Sequence, residues 1–351
     1  MKKGDNSLQL LNKYRGEIMG ISALWIFIFH IWLPDWNLPK LWVLIRTMGY
    51  SGVDVFLLIS GIGMTYAIKK QSIPVFYVRR LKRLLPAYLI VGVIQAFISP
   101  WSFVGFLAHV SGYKFYTVDL YSFLWFIPAI GTYYLFFPWF YKIAEKTKAP
   151  IHFFIDVIVV WAIVSPLIIG TLREDLFILT NRIPIFIMGV IFGLMIQNKD
   201  IVISKAGWIT LILINILSVY LAYLTIYTDY FLFVPYSRFC IPSFLTAVSF
   251  ALLFAKMCDL LSNYGESKFV KISKKIMVFY GAISFEFYCF QELLIDIIFS
   301  YRDGEFWWAK FISVFILDTL LAVIVSKVFT WVFAKVEKGL KQVNLNGENR
   351  K

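Results

Sequence analysis

Apolar residues in this chain fall into long, nearly continuous blocks separated by short polar stretches, and at least eight blocks approach the ~20 residues that a membrane-spanning helix needs. The pattern predicts ten spans, at about residues 16–34, 47–67, 84–108, 121–141, 150–171, 176–196, 206–227, 238–260, 276–300 and 307–334. The intervening loops are too short to hold a soluble domain. The expected fold is therefore all-α: a polytopic integral membrane bundle of about ten transmembrane helices. Residues 1–343 form one transmembrane domain, followed by a polar tail over 344–351. No internal repeat is visible, and the first span lacks a small-residue cleavage site, so no cleavable signal peptide is expected.

Composition agrees. The 351 residues are 60% hydrophobic and 19% aromatic, with a mean hydropathy of +0.74. Charge then orients the chain, because Lys and Arg in short loops stay cytoplasmic. With the amino terminus inside, most of the 34 Lys and Arg residues fall in cytoplasmic segments, notably 68–83, 142–149 and 261–275. The loops at 35–46, 109–120 and 301–306 face out. Both termini lie inside, as expected of a multi-pass plasma-membrane protein. The net charge of +13 is accounted for by anchoring at anionic lipid, with no nucleic-acid partner. One cluster stands apart: Arg79, Arg80, Lys82 and Arg83 in FYVRRLKRLLPAY repel one another and call for an anionic partner. Lipid headgroups and the phosphates of a nucleotide-type ligand both answer that need.

Against this background, ionisable groups inside the spans are costly and mark candidate chemistry. Asp54 sits in GYSGVDVFLLISG, flanked by Gly49, Gly52 and Gly61, which suit a helix packed closely inside a bundle. At 1.5 Å per residue, His30 lies about 21 Å above the inner start of the first span. Asp54 lies about 10 Å below the outer start of the second, nearly the same height in a core about 30 Å thick. Arg182, Gln291 and Glu292 share that height, which predicts one polar cavity with His30 and Asp54 as a pair. An imidazole backed by a carboxylate activates a hydroxyl, and Arg182 suits a developing oxyanion or an anionic acceptor. Trp125 falls near the outer end of its span, where an interfacial belt tryptophan is expected. Cys240, Cys258 and Cys289 read as small core residues, and neither they nor the three histidines have metal-ligand spacing.

Five segments resemble, in order, motifs of the membrane acyltransferase-3 family. GVDVFLLISG is similar to its GVDhFFhhSG segment, and RRLKRLLPAY to its RRxxRhxPxY stretch. LWFIPAIGTYYLFFP, NRIPIFIMGVIFG and ISFEFYCFQ are similar to three later motifs. The family's first-span Arg, with ten residues between it and its His, corresponds to Met19, and the His to His30. Arg15, one turn below Met19, is the displaced substitute, and Gln291 stands where the family often has His.

The resemblance implies an O-acyltransferase, acetyl-CoA dependent or using another acyl-CoA as cytoplasmic donor substrate, with no permanently bound cofactor. Its acceptor would be a hydroxyl of a cell-surface or exported polysaccharide or other glycan. On this reading His30 is general base or transient acyl carrier and Asp54 orients it. Arg15, Arg79, Arg80 and Arg83 meet the donor phosphates, and Arg182, Gln291, Glu292 and Trp125 serve the acceptor or the oxyanion. Membrane lipid, acyl-CoA and a glycan are the expected partners, and a homo-oligomer is compatible with such a chain. The competing reading is a transporter or flippase of an envelope precursor, against which stands the lack of an inverted repeat.

Overall fold

The computed structural model describes residues 7–34, 36–118, 124–198, 201–228, 239–263, 265, 267–300 and 305–348. Outside them lie the expected start of the fourth span, residues 301–304 of an expected outer loop and the last residues of the polar tail. Every regular element among the described residues is helical. In chain order these are α1 (Gln9–Lys13), α2 (Arg15–His30), α3 (Lys40–Thr47), α4 (Ser51–Lys69) and α5 (Ile73–Ile98). Next come α6 (Phe103–Val110), α7 (Tyr113–Thr117), α8 (Phe126–Ala144), α9 (Pro150–Thr171), α10 (Phe177–Thr180) and α11 (Ile183–Asn198). The last four are α12 (Lys205–Tyr227), α13 (Cys240–Asn263), α14 (Lys268–Ile298) and α15 (Trp307–Glu348).

Among the described residues, eight helical stretches are long and apolar enough to cross a membrane, rather than the ten expected. The two that fall short are α2, only 16 residues long, and α8, whose 19 residues carry three tyrosines and Lys142. The helix directions nevertheless match the expected alternation. Phe27 packs on Phe287 and His30 lies beside Gln291, so α2 and α14 run parallel, like two odd-numbered spans. Asp54 and Thr65 of α4 meet Arg182, which precedes α11, and Gln197 near its end, as parallel even-numbered spans would.

Two close helix crossings hold the centre. A methyl added at Gly20 would lie 1.8 Å from the Met277 carbonyl oxygen, and one at Gly189 would lie 2.2 Å from that of Leu58. Lipid tails are as apolar as leucine, so membrane helices associate through such close packing rather than by escaping water. The stretch Lys40–Lys69, together with α14, buries 67 and 72% of its apolar window, whereas α9, α12 and α15 bury 11, 17 and 17%. The first set forms the interior and the second presents side chains outward to lipid.

Two boundaries differ from expectation in ways that matter for function. Ser72 and Pro74 start α5 about three turns before the expected residue 84, so the basic cluster is helical and part of the bundle wall rather than a loop. The expected outer loop 35–46 carries α3, whose Leu41, Trp42 and Ile45 are exposed. At the opposite end of α2, Lys13 pairs with Asp259 at 2.7 Å and Tyr14 donates to the same carboxylate at 3.1 Å, fastening the start of the chain to α13.

Candidate functional site

Three polar regions are arranged around α2 and α4. The first is a cavity of about 120 Å³ enclosed by α2, α4, α5, α8 and α14. Arg15, Arg80 and Arg83 line it, with Met19 and Ile26 further along α2 and Ser60, Tyr134 and Tyr288 on the other walls. Helical spacing sorts the basic cluster: Arg80 and Arg83, three apart, line the cavity, Arg83 at its exposed edge, while Arg79 is exposed and does not line it. Lys82 lies over the Phe333 ring at 5.4 Å. Arg80 sits between the faces of Phe76 and Tyr134, at 5.5 and 5.9 Å from their centroids. Arg83 is ion-paired with Glu286 and lies over Phe285. Arg15 reaches so close to α4 that a methyl at Gly63 would fall 2.2 Å from its Nη1. Met19 and Arg15 thus face the same space from one wall.

The second region is a cavity of about 370 Å³ at the carboxyl end of α2, lined by His30, Trp32, Glu292, Ile295, Asp296, Phe299 and Ser300. His30 Nδ1 is 2.9 Å from the Ile26 carbonyl oxygen. With the proton there, Nε2 carries the lone pair and lies 3.7 Å from Glu292 Oε1. That separation is longer than a hydrogen bond, and a hydroxyl can bridge it. Gln291 Nε2 lies 3.4 Å from His30 Nδ1, and Gln291 itself is fully buried. Arg46 holds the backbone around His30: its Nη2 donates to the carbonyl of Phe29 at 3.2 Å and to that of Ile31, on either side of the histidine.

The third region is small. Asp54 Oδ1 lies 3.3 Å from Arg182 Nε, and Ser243 donates to the other carboxylate oxygen. Arg182 also donates to the Ile178 carbonyl at 3.3 Å and rests over the Trp125 ring at 4.9 Å. The pocket beside them, about 30 Å³, is no larger than a water needs.

The expected single polar cavity therefore divides in two, and the expected His30–Asp54 pair does not form: His30 faces Gln291 and Glu292, while Asp54 faces Arg182 and Ser243. The reason is depth as well as azimuth: α2 and α4 run antiparallel, with Gly49 against Trp25 and Phe29 and Gly52 against Ser22 and Ile26, so Asp54 falls roughly two turns below His30. Gly52 faces α2, where a methyl would strike Ile26 and the Ser22 carbonyl. Two residues on, Asp54 is turned about 200° away. It shares a face with Leu58 and Gly61, which pack on α11. Arg182 pairs with Asp54 and rests over the Trp125 ring. Arg79 faces away from the basic cavity.

Several residues escaped the sequence reading. Glu286 neutralises Arg83, Tyr288 lines the first cavity, and Arg46 grips the end of α2. Asp318 on α15 is fully buried, without a hydrogen-bond partner for either carboxylate oxygen among the described residues, and lines none of the three regions.

A membrane bundle with a basic cavity and a histidine cavity along one helix defines a class, and the comparison with known families specifies it. A family model described as an acyltransferase domain matches residues 19–334. The chain belongs to the acyltransferase-3 family and is a multi-pass membrane acyltransferase. Neither a curated protein nor a solved structure matches it.

Proposed function

We propose that this protein moves an acyl group, an acetyl in the first instance, from cytoplasmic acyl-CoA to a hydroxyl of an exported or cell-surface glycan. One observation carries the reading: α2 bears Arg15 in the basic cavity near one end and His30 in the second cavity at the other, with Ile26 of the basic cavity hydrogen-bonded to His30. Positive-inside orientation, with both termini cytoplasmic, puts the basic cavity on the side where acyl-CoA is found. Arg15 and Arg80 suit the CoA phosphates by charge and by bidentate donation, and Arg83 adds to the field while paired with Glu286.

The pantetheine arm would run up α2 and bring the thioester beneath His30. His30 Nε2 takes the proton of the acceptor hydroxyl as its oxygen attacks the thioester carbonyl. The carbon–sulfur bond breaks, the acyl–oxygen bond is formed, and the thiolate leaves and is protonated from the imidazolium or from water. Glu292 stabilises the imidazolium by charge, and the Tyr288 hydroxyl is suited to the carbonyl oxygen as charge develops there. Glu292 and Tyr288 thus take the roles that sequence alone gave to Asp54 and Arg182.

The test is group transfer by the purified protein in lipid nanodiscs, using acyl-labelled acetyl-CoA and glycan extracted from cells lacking the gene. Release of free CoA together with an alkali-labile acetyl ester on the glycan is the expected result. Thioester that stays intact while the glycan is bound or moved across the bilayer would favour the flippase reading instead.

A further inference from the structure

The backbone around His30 is held by two helices other than its own. The last carbonyls of an α-helix lack partners within it, and His30 is the final residue of α2. Here the partners come from outside: Arg46 of α3 donates through Nη2 to the carbonyls of Phe29, at 3.2 Å, and of Ile31. The Trp307 indole at the start of α15 donates to the carbonyl of Trp32 at 2.7 Å. The grip of α3 on α2 is reciprocal, since the Trp25 indole donates to the carbonyl of Ile45, next to Arg46, at 2.7 Å. A methyl at Gly49, just beyond α3, would fall 2.6 Å from the Trp25 carbonyl oxygen, so the two backbones touch.

The ring is tied only to its own helix, through Nδ1 and the Ile26 carbonyl at 2.9 Å. The direction of Nε2 is therefore only as well defined as the backbone that carries it. Arg46 suits the task, because one guanidinium nitrogen offers two N–H donors and a cation at a helix carboxyl end meets the negative end of the dipole. His30, not Arg46, lines the second cavity, so the guanidinium acts through the histidine. We propose that Arg46 is a positioning residue for acyl transfer: by clamping the carbonyls on either side of His30 it holds Nε2 where it meets the acceptor hydroxyl. This inference rests on the acyltransferase reading above and adds a residue to its machinery.

The experiment is a double-mutant cycle on acetyl transfer by the protein in nanodiscs. Misplacing a reacting group by about 1 Å can cost about 10²-fold. Arg46→Ala should thus lower kcat by about tenfold or more, with the KM for acetyl-CoA within about twofold of wild type. In a His30→Ala background the same substitution should lower the residual turnover by less than about twofold, since no histidine is left to position. Arg46→Lys, which keeps the charge and a shorter donor, should recover part of the loss, and it replaces Arg46→Ala in the cycle, under the same criteria, if the alanine variant fails to fold. Equal losses in the two backgrounds would mean that Arg46 supports the fold alone, and an unchanged kcat would mean that the clamp is not needed. Either result overturns the inference and leaves the acyltransferase reading standing. No transfer by wild type, with acetyl-CoA unconsumed, removes that reading and the inference together.

Discussion

Two carboxylates at nearly the same expected depth in this bundle have opposite surroundings. Asp54 is locked between Arg182 and Ser243 beside a pocket of about 30 Å³. Glu292 stands 3.7 Å from His30 at the edge of a cavity of about 370 Å³, with 29% of its side chain exposed. A buried charge with all its partners inside the protein has little freedom to meet a substrate, whereas one facing an open cavity can. Intramembrane charge alone therefore does not identify a reactive group. What separates the two is whether the partner is another helix or a space that a ligand can fill.

The largest effect expected from this contrast is on stability. Removing one member of a buried ion pair strands the other charge and costs about 3–5 kcal/mol, while replacing both by apolar groups of similar volume is often close to neutral. Arg182→Met should thus sharply lower the yield of monodisperse protein and its thermal midpoint in detergent. Asp54→Leu combined with Arg182→Met should recover much of that loss, a coupling that the double-mutant cycle measures directly. If Asp54→Asn instead retains the wild-type midpoint and loses turnover, Asp54 belongs to the reaction and the contrast fails.

How far the sequence carried the reading follows from which quantity each residue depends on. Helix direction follows from length, hydropathy and charge, whereas depth counted from expected span ends puts His30 and Asp54 at matching heights and the packing of α4 on α2 sets Asp54 lower. Azimuth was also present, in the spacing of Asp54, Leu58 and Gly61, but it has meaning only once the neighbouring helix is known. Glu286 could not be paired with Arg83 from the sequence, because their contact spans 203 positions and Arg83 had been assigned to a loop. Arg46 counted as an ordinary loop cation, since only the folded path of residues 31–46 returns it to the end of α2. The glycines were more legible: close approach explains Gly49 and Gly52 against α2 and Gly61 against α11.

The next effect is on turnover with the fold preserved. His30 lies at a cavity edge, its side chain 25% exposed, so His30→Ala removes little packing. It should lower kcat for acetyl transfer by about 10²-fold or more, the usual consequence of deleting a positioned acid or base, while the thermal midpoint stays near wild type. Asp54 and His30 variants would then fail in opposite ways, one in folding and the other in chemistry. A His30→Ala protein that transfers acetyl normally would remove the histidine from the mechanism and leave the cavity as a binding site only.

The smallest effect divides the basic cluster itself and carries the comparison of closed and open surroundings to the other end of α2. Arg79 and Arg80 are adjacent in sequence, equally charged and on the same turn of α5, yet Arg79 is exposed while Arg80 lines the cavity between Phe76 and Tyr134. If the cavity binds the donor's phosphates, Arg80→Ala removes a charge-assisted contact made in both ground and transition states. It should then raise the KM for acetyl-CoA about tenfold with little change in kcat. Arg79→Ala, which loses the same formal charge without touching the cavity, should leave donor kinetics within about twofold, as expected for a screened surface charge. Arg83 is the poorer probe, because its removal also strands Glu286. Equal increases in KM for the two variants would mean that the cluster acts through its summed field on lipid or ligand, and the inward turn of Arg80 would then have no part in donor recognition.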